Sequence, residues 1–321
     1  MIRGLPGKGR HMESFASTGL INLLLRVVGT VDPALVAGQP LPDPFASGIQ
    51  SAGSKRNLVD RVMQKHGPGL LLSVGQRLHL IGETPVATVF RRSADPHVLA
   101  DKWQRLERYH HASHRTRIEP LGHEGWECRR HSIDSMPTAG ENCLIAGLLM
   151  GLAGLVGARN CRLVVAGSEL APSDLANTDL PPGVSFETFR IVWSPFQLQD
   201  MPDQEEQPET ATGMADRLAG LLAGDVGRSW KIGDAARQMA VSTRSLQRHL
   251  AADGRSFSSA LRRARMLQAT RLLTVTATPL AEIGYCCGYA DQAHFQRDFR
   301  RVTNITPKRF RQASGQAIPA R

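Results

Sequence analysis

The stretch IGDAARQMAVSTRSLQRHL, residues 232–250, is followed after residues 251–279 by LAEIGYCCGYADQAHFQRDF, residues 280–299, and the two repeat one design. In the first, Ile232, Ala235, Ala236 and Met239 fall at helical spacing, and the stripe breaks at Ala240 and Val241. Ser242 then has the side chain to cap a new helix by accepting from its free backbone N–H groups. Leu246 and Leu250, four apart, face inward and turn Thr243, Arg244, Gln247 and Arg248 outward, until Asp253-Gly254 ends the helix. In the second copy Pro279 suits a first helical turn, Leu280 and Ile283 point inward, and Gly288 permits a sharp turn. Asp291 caps the next helix, Phe295 and Phe299 anchor it, and Gln292, His294, Gln296, Arg297 and Arg300 are left outside. Thr306-Pro307 starts a last short helix that ends near Arg311.

Between the copies, Ser256 to Thr274 reads as one helix with Phe257, Leu261, Ala264, Leu267 and Leu272 or Leu273 on its buried side. Its length of about 28 Å approaches the roughly 34 Å between successive major-groove faces of B-DNA. A connector of that kind holds two readers in adjacent grooves, where Arg pairs with guanine and Gln with adenine. The charge agrees. Residues 216–312 carry 17 Lys and Arg against 7 Asp and Glu, out of 39 and 29 in the chain, leaving 22 against 22 elsewhere. The whole basic excess therefore lies on the two readers, as attraction to phosphate requires.

Residues 231–312 resemble the double helix-turn-helix domain of the AraC family of bacterial transcription regulators, through STRSLQRHL (242–250), RMLQATRLL (265–273), GYADQAHFQRDF (288–299) and TPKRFR (306–311). Three places depart from the family: Gly284 stands where Ala is usual, Cys286-Cys287 are uncommon, and Asn304 occupies a Gly position, which Asn's tolerance of left-handed backbone permits. Thr243, Arg244, Gln247 and Arg248 are expected to contact bases from the first reader, and Gln292, Gln296 and Arg297 from the second. Ser242, Arg262, Arg263, Arg271, His294, Arg300, Lys308 and Arg309 are expected on phosphates. The resemblance implies a homodimer on double-stranded DNA, contact with RNA polymerase in activating transcription, and a small-molecule effector, all in a bacterial cytoplasm and at the nucleoid when bound.

The rest of the chain reads as a start without periodicity (1–11), an effector-binding or dimerisation domain (12–196), a flexible acidic linker (197–212) that lacks large apolar residues, and a short tail (313–321) after the DNA reader (213–312). In the N-terminal domain the pattern predicts helices over Leu20–Val28, Lys55–His66, Pro96 to about Ser113 and Glu141–Val156. Strands are predicted over Arg115–Leu121, Trp126–Ile133, Cys161–Ala166 and Val184–Trp193, with Pro33–Pro44 as loop. On the helix from Pro96, Val98, Leu99, Trp103, Leu106 and Tyr109 form the buried stripe, and Asp101, Lys102, Arg105, Glu107 and Arg108 cover the remainder. Helices mixed with strands give an α/β or α+β domain, with an all-α domain after it. The stretches RRSADPHVLADKWQRLERYHHASHR and VSFETFRIVW resemble, more weakly, the N-terminal domains of ornithine-utilisation-type regulators of the same family.

No stretch has the length and apolarity of a membrane span, and five Cys without paired CxxC spacing suggest neither a disulfide framework nor a zinc site. His110, His111 and His114, with His123 and His131, offer metal ligation only if His110 and His114 share a helix face; the alternative is an ordinary His cluster. Cys128, Cys143 and Cys161 could sense oxidation if exposed; burial is the alternative. Of adjacent Cys286 and Cys287, one is read as core. Trp103, Tyr109, Trp126 and Trp193 either line a pocket or pack as core. No Ser-His-Asp, carboxylate-pair or phosphate-loop constellation argues for catalysis, so no cofactor is expected and the chain is not read as an enzyme. Two rivals remain: a regulator whose N-terminal domain only dimerises, and an enzyme with a DNA-binding appendage.

Overall fold

In a computed structural model the chain is described for residues 18–39, 52–81, 84–109, 114–132, 136–178, 180, 183–194 and 213–314. The expected start, His110, His111, the linker and most of the tail lie outside these residues.

The N-terminal part holds α1 (Thr18–Val31), α2 (Pro33–Val36), α3 (Ala52–Ser73), α4 (Pro85–Arg91), α5 (Pro96–Tyr109) and α6 (Ala139–Leu155). Its strands are β1 (His114–Pro120), β2 (Gly125–Ser132), β3 (Arg159–Val165), β4 (Ser168–Leu170) and β5 (Thr188–Ser194). They form one sheet of order β1-β2-β5-β3-β4 in which every pair is antiparallel, an α+β arrangement. Alternation sets the faces. Trp126, Cys128 and Arg130 of β2 and Phe189, Ile191 and Trp193 of β5 turn inward toward α5 and α6.

Helix α6, AGENCLIAGLLMGLAGL, starts in a capping box of Thr138 and Glu141 and is buried on nearly every side, between the sheet and α3. Its Gly147 makes that possible: a Cβ there would strike the Leu72 backbone. The helix expected to end at His66 instead kinks at Gly67, at φ 68°, before Pro68, and resumes to Ser73. Pro33–Val36 forms a short helix instead of loop, because Pro suits a first helical turn.

Helix α5 is described as far as Tyr109, the expected end near Ser113 lying outside the described residues, and its charged residues correct the sequence reading. Lys102 is 0%, Arg105 3% and Glu107 8% exposed. Glu107 accepts from the Thr116 backbone N–H at 2.7 Å and its hydroxyl at 2.9 Å, and pairs with buried Arg130 at 3.2 Å. Arg130 also donates to Asn142 and Thr116. Burial pushes Glu107 up and Arg130 down, and their mutual attraction opposes both shifts.

The C-terminal domain is all helical: α7 (Met214–Gly224), α8 (Ile232–Gln238), α9 (Thr243–Ala252), α10 (Phe257–Val275), α11 (Leu280–Cys286), α12 (Gln292–Thr303) and α13 (Pro307–Ala313). It does not stand apart from the N-terminal domain, as a chain of two bodies on a flexible tether would. Helix α11 packs on α4 and α5, and Tyr285, wholly buried, lies 6.4 Å from the Phe90 ring and 6.0 Å from that of Tyr109.

Candidate nucleic-acid interface

Each reader is built by a cap, a turn and two anchors. In the first, Ala240 takes a left-handed φ of 54° between α8 and α9, and the Ser242 hydroxyl accepts from the Ser245 N–H at 3.1 Å. Ala235, Ala236, Met239, Leu246 and Leu250 are buried as the spacing requires. In the second, Gly288 turns the chain at φ 75° and the Asp291 carboxylate accepts from the His294 N–H at 2.7 Å. Phe295 and Phe299 are both 0% exposed, with rings 5.8 Å apart. Pro279 lies one position outside the helix, as the residue flanking α11. Asn304 ends α12 at φ 60°, and Thr306 caps α13 by accepting from the Arg309 N–H at 3.3 Å.

The anchors leave two polar faces outside. Arg244, Gln247 and Arg248 on α9 and His294, Gln296, Arg297 and Arg300 on α12 are exposed, while Thr243 and Gln292 are half-buried. Ser242, Arg263, Lys308 and Arg309 are exposed around them. Among the described residues no carboxylate pairs with Arg244, Arg248, Arg297, Arg300, Lys308 or Arg309, so a basic surface is left without internal neutralisation.

The other two expected phosphate contacts, Arg262 and Arg271, are also exposed. The Arg262 Nε lies 3.4 Å from Asp298, which also pairs with Arg301 and accepts from the Tyr289 hydroxyl at 3.0 Å. Arg271 lines a crevice of about 230 Å³ between α10 and α4 of the N-terminal domain. The connector α10, capped by a Ser256–Ser259 box, buries Leu261, Ala264, Met266, Ala269, Leu272 and Leu273. Leu267, expected inside, is 63% exposed, because the helix turns Met266 to the core instead.

The N-terminal alternatives resolve toward core. Trp103, Tyr109, Trp126 and Trp193 are buried, with Trp126 and Trp193 edge to face at 5.1 Å. His114 opens β1 and lies 3.6 Å from Glu141, so it shares no helix face with His110; His123 and His131 are exposed. Among the described residues no three His, Cys, Asp or Glu gather to hold a metal. All five cysteines are buried, Cys286 and Cys287 both included. Burial pushes the Cys143 thiol up to about 12 and Cys161 up to about 11, and raises the other three, the reverse of what a thiolate sensor needs. No described helix is long and apolar enough to cross a membrane.

The residues that sequence reasoning missed are Lys102 and Arg105. Their partners, Asp225, Gly227 and Ser229, lie in the C-terminal domain more than 120 positions away. Helical periodicity places them beside the apolar stripe but carries no sign of a second domain.

Two helix-turn-helix units, with their recognition helices on one rigid connector, define a DNA-binding domain. Residues 235–313 match the family model described as a helix-turn-helix domain. The chain is 36% identical over 101 residues to the ornithine utilization regulator of Pseudomonas aeruginosa, covering 32% of this chain and 30% of that protein. It is 32% identical over 97 residues to the urease operon transcriptional activator of Escherichia coli, covering 30% and 33%. The chain thus spans about a third of the length of these curated relatives. A solved AraC-type transcriptional regulator from Chromobacterium violaceum is 27% identical, covering 33% of this chain and 95% of that one, with a TM-score of 0.31. The C-terminal domain of this chain is a helix-turn-helix domain of the AraC type.

Proposed function

We propose that the protein is a sequence-specific transcription regulator that reads two adjacent major grooves of double-stranded DNA, as a homodimer in a bacterial cytoplasm. One observation carries this: α9 and α12 present different unneutralised polar faces from a common connector of 19 residues. Arg244, Gln247 and Arg248 contact bases from the first reader, with Thr243 at its edge. Gln296 and Arg297 do so from the second, with Gln292 at its edge. Ser242, Arg263, His294, Arg300, Lys308 and Arg309 hold phosphates. Because the two faces differ, one chain reads two unlike blocks about 10 base pairs apart.

The N-terminal domain receives the signal. Between α6, β3 and the turn at Leu175–Asn177 lies a cavity of about 410 Å³ lined by Met150, Gly151, Gly154, Ala158, Cys161 and Leu175, with Gln76, Asn160 and Arg162 among its polar lining. That volume and lining suit a small, largely apolar effector with a polar end. The buried aromatic residues are outside this lining and act as core.

Footprinting of the full-length protein on its own upstream DNA, across a range of salt, tests the assignment. Paired blocks of protection one helical turn apart are expected. Diffuse coating that vanishes uniformly with salt would overturn it.

A further inference from the structure

The two helix-turn-helix halves meet along a seam of backbone. A Cβ at Gly288, in the turn before α12, would strike the Val226 carbonyl, and one at Gly227, in the loop before α8, would lie 3.5 Å from the Cys286 carbonyl. Helix α10 joins the halves and packs on α7 of the first and on α11 and α13 of the second, with residues 253–256 and 276–279 outside helices at its two ends. Contacts across the seam add to that packing in setting the angle between the readers.

Helix α5 of the N-terminal domain covers that seam. The Lys102 ammonium donates to both Asp225 carboxylate oxygens at 2.8 Å and to the Val89 carbonyl at 2.8 Å. Arg105 donates to the Ser229 hydroxyl at 2.7 Å and to the Gly227 carbonyl, and its guanidinium stands 5.2 Å from the centre of the Tyr285 ring. The Tyr285 hydroxyl donates in turn to the Lys102 carbonyl at 3.2 Å. One turn further on, Tyr109 approaches α11 where it lacks a side chain: a Cβ at Gly284 would lie 2.9 Å from the Tyr109 hydroxyl. Asp225, Gly227 and Ser229 belong to the first half, Gly284 and Tyr285 to the second, and one helix grips both.

Burial pushes Lys102 down and Asp225 up, with the opposite charge restraining each, so removing one partner would leave the other buried without compensation. None of the outward side chains of α9 or α12 takes part, so docking leaves the reading faces open.

We propose that α5 is a clamp that sets the separation and relative angle of the two recognition helices, with Lys102, Arg105 and Tyr109 as positioning residues, so that the N-terminal domain fixes the operator spacing. This rests on the reading of residues 213–314 as a DNA reader.

The test uses the full-length chain and two variants. Arg105→Met removes the contacts of α5 with Gly227, Ser229 and the Tyr285 ring without touching α12, and Lys102→Met breaks the buried pair. Backbone hydrogen exchange, without DNA, should speed up at 225–230 and 280–288 in both, with β2 and β5 unchanged as the control for folding. DNA selected by the wild type from a random pool is then rebuilt with one base pair added to or removed from the spacer. The wild type should lose about ten-fold or more in affinity on either change. The variants should bind the parent site about ten-fold more weakly, as when the competent arrangement falls to about a tenth of the population, and hardly distinguish the three spacings. Variants that exchange faster yet keep the wild-type spacing preference would overturn the clamp alone, as would unchanged exchange in both. A wild type that selects no two-block DNA would instead sink the reader assignment, and the spacing role with it.

Discussion

Arg248 illustrates what an outward position on a recognition helix implies. It is exposed, two positions past buried Leu246 and two before buried Leu250, with no carboxylate neighbour among the described residues. If it pairs with guanine, Arg248→Ala costs about 1–3 kcal/mol of binding and relaxes preference at that base pair; an unchanged affinity and consensus would remove it from the reading set. Arg130 is the opposite case, a cation turned inward on β2 because Glu107, Thr116 and Asn142 receive it. Arg130→Ala leaves the Glu107 carboxylate buried alone and should destabilise the N-terminal domain by about 3–5 kcal/mol, read as a fall in melting temperature. Glu282 has no such partner among the described residues, and burial in the first turn of α11 pushes it up to about 7 from an ordinary 4.5. The unfolded chain ionises this group at lower pH than the folded one does. Its contribution to stability is therefore fully present below 4.5 and is lost as pH rises through about 7. Glu282→Gln should raise the melting temperature at about pH 8 and leave it nearly unchanged at about pH 4; equal shifts at both would refute the assignment.

At the scale of elements, the helix ends of the readers were legible because their signals are local. Ser242, Asp291 and Thr306 each cap the helix that follows, and Asn304 takes the left-handed turn its position suggested. That turn carries a prediction: Asn304→Ala, with φ 60° to satisfy, should cost about 1–2 kcal/mol and lower the melting temperature; no loss would mean the turn relaxes. What escaped the sequence depends on distant partners. Leu267 fits an apolar stripe as well as Met266 does, and only the packing of α10 decides that Met266 goes inside. Strand β4 is three residues long, too short for alternation to show, and exists because β3 offers an edge. Lys102 and Arg105 look like the solvated side of α5 until the C-terminal domain is placed against them. Likewise Gly284, which weakens a short helix when read locally, makes room for a tyrosine from another domain.

At the scale of the whole molecule, charge and function divide along the chain. The net +10 of the protein equals the excess of 17 basic over 7 acidic side chains within residues 216–312, so the remainder is neutral overall. A phosphate-binding surface releases counterions in proportion to the contacts it makes, and the slope of log affinity against log salt counts them. Lys308 and Arg309 follow the Thr306 cap at the start of α13, exposed and without an acidic partner among the described residues. Arg162 on β3 is also about half exposed, but it pairs with Glu169 at 3.2 Å on the neutral domain. Lys308→Gln and Arg309→Gln should each shallow the salt slope of the full-length protein by about 1 and weaken all DNA sequences alike, while Arg162→Gln leaves the slope where it was. A slope that responds equally to all three substitutions would mean that the N-terminal domain also touches DNA. The clamp on the two readers would then have to be reconsidered as part of the DNA contact itself, because α5 could not position the readers without also being held by what they bind.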